Sequence, residues 1–95
     1  MASSNDYFVY IQELLKDTHG ISFRKMMGKY IIYKNEIVIG GIYDNRFLIK
    51  KTKSLENSGL KEQIPYPTGK AMLLVDIEDE EEIEQLILKV YKDLK

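Results

Sequence analysis

Histidine occurs once in this chain, at position 19, and cysteine not at all, which removes most of the side chains that do covalent or metal chemistry. A zinc site would need a carboxylate-rich ligand set that no spacing here supplies. His19 reads instead as a surface residue in a helix-to-strand turn. Gly69-Lys70 has the ending of a phosphate-binding loop, but Ile64 stands where that loop needs its first glycine and Ala71 where it needs the hydroxyl for magnesium. The acidic run Asp76, Glu78, Asp79, Glu80, Glu81, Glu82 and Glu84 has oxygens for a hard cation, yet lacks the glycine and interspersed ligands of a calcium loop. A solvated helix start accounts for those charges more simply. No serine sits in a nucleophile-elbow context. The expectation is a chain with no catalytic centre, no metal and no cofactor, that is, not an enzyme.

Recognition chemistry is better represented. Residues 21–53 carry eight lysines and arginines against Glu36 and Asp44, while both flanks are acidic and the whole chain has a net charge of -1. Such asymmetry marks either a surface for nucleic acid or an acidic partner, or basic strands lying beside acidic helices in one balanced surface. Arg24, Lys25, Arg46, Lys50, Lys51 and Lys53 are the candidate phosphate contacts, with Tyr43 or Tyr66 available for stacking. Arg46, Leu48 and Lys50 alternate along one strand and so share a face, but no known nucleic-acid motif accompanies them.

These residues must be held by elements that periodicity and punctuation make legible. Ser3 or Ser4 caps a first helix whose apolar stripe is Phe8, Ile11, Leu14 and Leu15, and Gly20 ends the helical region. From Ile21 the period changes to two. Ile21 and Phe23 alternate in a first strand, Lys29 to Tyr33 form a second, and Met26-Met27-Gly28 lies between them. Lys34-Asn35-Glu36 is a tight turn into a third strand, Ile37 to Tyr43. Asp44-Asn45 is another, leading into Arg46 to Lys50. Thr52 to Gln63 reads as a short imperfect helix or a mobile loop, and Pro65-Tyr66-Pro67 as extended. Gly69 allows a bend before a buried strand, Ala71 to Val75. The last helix is capped by Asp79 with Glu82 three positions on. It buries Ile83, Leu86, Ile87, Val90, Tyr91 and Leu94, with Lys89, Lys92 and Lys95 toward its far end. The fold class expected is α+β: an antiparallel meander with helices from both chain ends packed on it. Gly40-Gly41 inside a strand lets a helix approach the sheet or, on a sharper reading, lets a ligand press against bare backbone.

The 95 residues suit one domain, residues 1–95, with the 44% hydrophobic and 31% charged content of an ordinary globular protein. Met1 to Asp6 lacks the basic head and apolar stretch of a signal peptide, no run reaches the length of a membrane span, and cysteine is absent. A cytoplasmic protein with no membrane contact is expected.

Arg24-Lys25-Met26-Met27-Gly28, followed by Tyr30-Ile31-Ile32-Tyr33, Ile39-Gly40-Gly41-Ile42-Tyr43-Asp44 and Phe47-Leu48-Ile49-Lys50, resembles the N-terminal domain of the TfoX family, named for a bacterial regulator of natural competence. Arg24, Met26, Gly28, Tyr33, Gly40, Lys50, Pro65 and Tyr66 take the places of its pattern. Met27 replaces the usual phenylalanine and Lys29 a frequent second glycine, as in the small single-domain branch. The resemblance covers nearly the whole chain. It implies a fold similar to the secretion chaperones, which often form homodimers, and a relation to coactivators that work beside the cyclic AMP receptor protein. Those regulators carry a second, helical domain that this sequence does not reach, so what it implies here is an adaptor for an unknown protein partner, such as transcription machinery.

Three functional classes follow. A protein-binding adaptor or transcription coregulator would use Arg24, Lys25, Met26, Met27, Lys50 and Tyr66, with the methionines either in the contact surface or in the core. Direct nucleic-acid binding would use the six cations named above. A small-molecule or enzymatic pocket would gather Arg24, Gly40, Asp44 and Lys50. Gly28, Gly40, Gly41 and Pro65 are expected to be structural.

Overall fold

The structure, a computed structural model, describes residues 5–95, so the expected Ser3 or Ser4 cap lies outside the described residues. Helix α1 spans Asn5–Leu14. It is followed by strands β1 (Ile21–Met26), β2 (Lys29–Lys34), β3 (Ile37–Tyr43) and β4 (Arg46–Lys50), then a 3-10 turn at Lys53–Leu55. Strands β5 (Glu62–Gln63) and β6 (Met72–Leu74) precede helix α2 (Glu80–Leu94). The six strands form one antiparallel sheet in the order β1-β2-β3-β4-β6-β5, and the α+β class read from the sequence is the one observed.

Three two-residue turns connect the first four strands. Met27 and Gly28 have φ of 48° and 82°, Asn35 and Glu36 of 47° and 72°, and Asp44 and Asn45 of 51° and 58°. Positive φ at both central positions is the type I′ geometry, whose twist matches that of the strands it joins. The register follows from those turns. It sets Phe23, Ile32, Gly40 and Ile49 in one cross-strand row, with Tyr30, Ile42 and Phe47 in the next, all on one face. The apolar residues of that face form a single cluster with Ile11 of α1, Leu15 just past its end, and Ile83, Ile87 and Val90 of α2, so both helices pack on the same side. Phe8 lies flat on Tyr30, ring centroids 3.9 Å apart, and edge-on to Phe23 at 5.3 Å.

Several local features differ from the sequence reading. Helix α1 stops at Leu14, and turns fill residues 15–20. Gly20, at φ 78°, shapes the entry to β1, where its carbonyl accepts from the Asn35 amide at 2.9 Å. Strand β1 continues through Met26, leaving only Met27-Gly28 as turn. The Thr52 to Gln63 stretch holds the 3-10 turn and the two residues of β5. Ser54 donates its amide and hydroxyl to Asp93 of α2 at 2.8 and 2.7 Å, which pins that turn to the helix. At Gly40 and Gly41 the atoms that an added side chain would meet first belong to the neighbouring strands and Tyr43. A Cβ at Gly40 would stand 2.3 Å from the Leu48 carbonyl oxygen, and one at Gly41 would meet the Tyr30 carbonyl at 2.6 Å and the Tyr43 ring at 2.8 Å. The glycines serve the neighbouring strands and Tyr43, beside a bulge where β3 carries one extra residue against Ile32/Tyr33.

Helix α2 begins as expected, with Asp79 Oδ1 accepting from the Glu81 and Glu82 amides at 2.9 and 3.3 Å. No helix among the described residues is long and apolar enough to cross a membrane.

Candidate functional site

Antiparallel pairing places Arg24, Ile31, Gly41, Leu48 and Leu74 in one row on the sheet face away from the helices, with Arg46 and Tyr43 paired to one side of that row and Lys50 and Met72 to the other. The segment between β5 and β6 folds over part of this face. Pro65 is buried there, and the Tyr66 ring lies 6.3 Å from that of Tyr43. Gly69 closes the bend by donating its amide to the Tyr66 carbonyl at 2.8 Å.

Arg46 holds that segment in place. Its Nε donates to the Tyr43 carbonyl at 3.1 Å, Nη1 to Gln63 Oε1 at 2.9 Å and the Ile64 carbonyl at 3.2 Å, and Nη2 to the Pro65 carbonyl at 3.3 Å. Asp44 adds a carboxylate 3.9 Å away. A planar guanidinium with five donors suits such convergent carbonyls, and those donors are thereby occupied within the chain.

The hairpin end of the sheet gathers apolar groups that folding has left in water. Met27 is 97% exposed, Met26 42%, Ile64 52% and Tyr66 45%. Met27 is also one of the few residues other than glycine with positive φ, and a long apolar side chain gains nothing locally from that conformation. A cavity of about 190 Å³ lies among Met27, Gly28, Lys29, Tyr43, Asp44, Pro65 and Tyr66. The Lys29 ammonium sits 4.5 Å from the Tyr66 ring centroid and 5.9 Å from that of Tyr43, a cation-π arrangement that stiffens both partners. Burial, and then the neighbouring Tyr66, push the Tyr43 hydroxyl above its ordinary value, so it stays a neutral phenol at physiological pH.

No family model matches the chain, and no curated protein matches it.

The structure unites one group of sequence candidates and separates others. Met26, Met27 and Tyr66 come to the same end of the sheet, and both methionines are surface rather than core. Arg24 and Lys50 share the outer face with β2 and β3 between them, about 14 Å at ordinary strand spacing. Lys25 pairs with Tyr30 and stands exposed at the sheet edge, on the helix side. Lys51 meets Glu62 at 3.2 Å, and Lys53 lies in the 3-10 turn. The six cations therefore do not form one patch. Nor do Arg24, Gly40, Asp44 and Lys50 share a cavity: Asp44 lines the hairpin-end hollow, Lys50 a groove of about 560 Å³ along the outer face, and Arg24 a separate shallow site. Sequence reasoning missed the clamp role of Arg46 and the contribution of Ile64 and Lys29. Lys29 was legible in principle, since a cation next to a turn glycine on a strand neighbouring Tyr43 has an aromatic partner within reach.

Proposed function

We propose that this chain is a noncatalytic protein-binding module, an adaptor or transcription coregulator of the TfoX N-terminal type, which meets its partner with the hairpin end of the sheet. The observation that carries this reading is Met27, a methionine almost wholly in water and held at positive φ. A strained, exposed apolar residue persists where function asks for it. Met26 beside it and Tyr66, which lines the same hollow, add the adaptable and aromatic groups that protein interfaces favour. Arg46 and Lys29 hold the Tyr66 side of the surface in a fixed shape, which lowers the ordering cost of binding. The resemblance of Arg24 to Gly28 to the TfoX pattern supports a role beside transcription machinery.

The test is affinity capture from a cell lysate with the wild-type chain, Met27→Asp, Tyr66→Ala and the Arg24→Ala/Lys50→Ala pair, with folding checked by circular dichroism. Loss of the same captured protein in the Met27 and Tyr66 variants is expected, with a smaller loss in the charge pair. Capture unchanged in all three would remove this surface from consideration.

A second reading, direct nucleic-acid binding, keeps the support of Arg24, Lys25 and Lys50, which have no ion pair among the described residues. Fluorescence anisotropy with duplex and single-stranded DNA and RNA separates the two. Micromolar binding that weakens steeply with salt favours nucleic acid, and light scattering on the same sample reports whether the chain forms a homodimer.

A further inference from the structure

Strand β1 is a full-length open edge of the sheet. The strand order leaves β1 and β5 outermost, and β5 is only Glu62–Gln63. By contrast β1 runs six residues in unbroken register with β2, with no proline, glycine or bulge. Its turn fixes which backbone groups face outward. In a two-residue hairpin the residues flanking the turn, here Met26 and Lys29, form a hydrogen-bonded pair, and such pairs alternate along the ladder. Arg24 and Ser22 then bond to β2, whereas the N–H and C=O groups of Ile21, Phe23 and Lys25 point away from the sheet. None of these six groups has a hydrogen-bond partner among the described residues.

The surroundings of this edge indicate what it would take. Phe23 is half-buried against Phe8 of α1. Arg24 and Lys25 project to the two faces of the strand, exposed and without an ion pair. Pairing β1 with the β1 of a second copy would bring two arginines and two lysines into one short ladder, where like charges repel. Lys25 on the helix side of an edge strand is a known guard against indiscriminate pairing. A guard of one sign repels basic strands and attracts acidic ones.

We infer that the β1 edge accepts an extended acidic segment of a partner protein as a seventh strand, with main-chain hydrogen bonds at Ile21, Phe23 and Lys25 and carboxylates meeting Arg24 and Lys25. This deepens the protein-binding reading and rests on it, since Met26 and Met27 lie at one end of the same edge.

The test titrates the isotopically labelled full chain with an alternating glutamate-valine heptapeptide and with its lysine-valine counterpart, reading amide shifts and exchange by NMR. Slowed exchange at the Ile21, Phe23 and Lys25 amides with the acidic peptide alone is the expected result. Lys25→Pro removes one outward donor without touching the bonds to β2, and should weaken binding by about tenfold or more, as expected for a lost ladder bond and its neighbour. Lys25→Gln should weaken it less, and Arg24→Glu with Lys25→Glu should reverse the peptide preference if the proline variant folds poorly. Shifts confined to Met27 and Tyr66 would overturn the edge assignment while leaving the protein-binding reading in place. No shift with the acidic peptide, or equal protection by the basic one, would also overturn it. So would a homodimer that Lys25→Pro dissociates, because the edge would then belong to a second copy.

Discussion

Replacing Met27 with asparagine should make the protein more stable and a poorer binder at once. Met27 adopts φ 48° as the first central residue of a turn whose second is Gly28 at φ 82°. A residue with a Cβ in this region is disfavoured by roughly 1 kcal/mol or more, and asparagine is the residue that tolerates it best after glycine. Asn-Gly is also the preferred pair for this turn. Because the methionine side chain is 97% exposed, its removal forfeits almost no packing, so the strain relief is not offset. The gain expected is about 0.5 to 1 kcal/mol, or a rise in Tm of about 2 to 8 °C for a domain of this size. Urea unfolding should show the midpoint shifting with an unchanged slope. Met27→Ala is the control. It removes the same side chain but keeps a Cβ at positive φ, so it should leave stability nearly where it was while impairing capture as much as asparagine does. Should asparagine leave Tm unchanged or lower it, the methionine is not strained, and the physical case for a functional reason to keep it there collapses. Capture undiminished by either substitution would refute the interface from the other side.

Other consequences of the geometry are open to measurement. Gly40→Ala places its Cβ against the Leu48 carbonyl and the Ile49 Cα, backbone atoms that cannot rotate away, and should lower stability by about 2 to 3 kcal/mol in chemical denaturation. Arg46→Lys keeps the charge but not the fork of donors, and should cost about 1 to 3 kcal/mol and speed amide exchange at Gly69; unaltered exchange would mean that Pro65 alone anchors the segment. Asp93 is held below its ordinary pKa of 3.8 by the Thr52 hydroxyl beside it and by the Ser54 hydroxyl and amide, although buried Thr52 Oγ1 closes no hydrogen bond of normal geometry. A lowered carboxyl pKa stabilises the fold above the unfolded value, and that contribution is lost as pH falls through the folded value. Asp93→Ala should therefore lower Tm at neutral pH and flatten its decline between pH 4 and the acid limit, as read by melts across that range.

The parts of this fold that the sequence made legible are those set by local rules. Asn35 and the Asp44-Asn45 pair tolerate positive φ, and each sits at the turn assigned to it. Asp79 caps α2 where its spacing to Glu82 said it would, and the buried residues of α2 fall on the expected stripe. What escaped depends on contacts distant in sequence. What stands nearest Gly40 and Gly41 was not legible, because a glycine's neighbour across a sheet is invisible until register is known, and here it is Leu48 for one and Tyr30 for the other. Arg46 looked like a phosphate ligand because nothing local tells that Ile64 and Pro65 will present their carbonyls to it. The methionines were ambiguous for a related reason: an apolar residue beside a turn glycine is core or surface depending on what the rest of the chain lays over it, and over Met27 it lays almost nothing.

Burial across the sheet gives a reason for recognition to sit where it does. In β3 five of seven residues are buried, whereas β1 has none, only Ile21 and Phe23 being half-buried. A strand that contributes little to the core has a low free energy of local opening, since few apolar contacts are lost when it moves. Its backbone is paired on one side only, and its tip carries the apolar residues that the core does not use. A partner strand at this edge would supply the missing half of the ladder and cover Met26 and Met27 in one step. The contrast between β1 and β3 fixes an order that hydrogen exchange can read. Amides of β1 should exchange faster than those of β3 in the free protein, and bound acidic peptide should close most of that gap at β1 while leaving β3 unchanged. Protection rising equally in both strands would mean that the ligand stabilises the whole domain from elsewhere, and the edge would lose its claim.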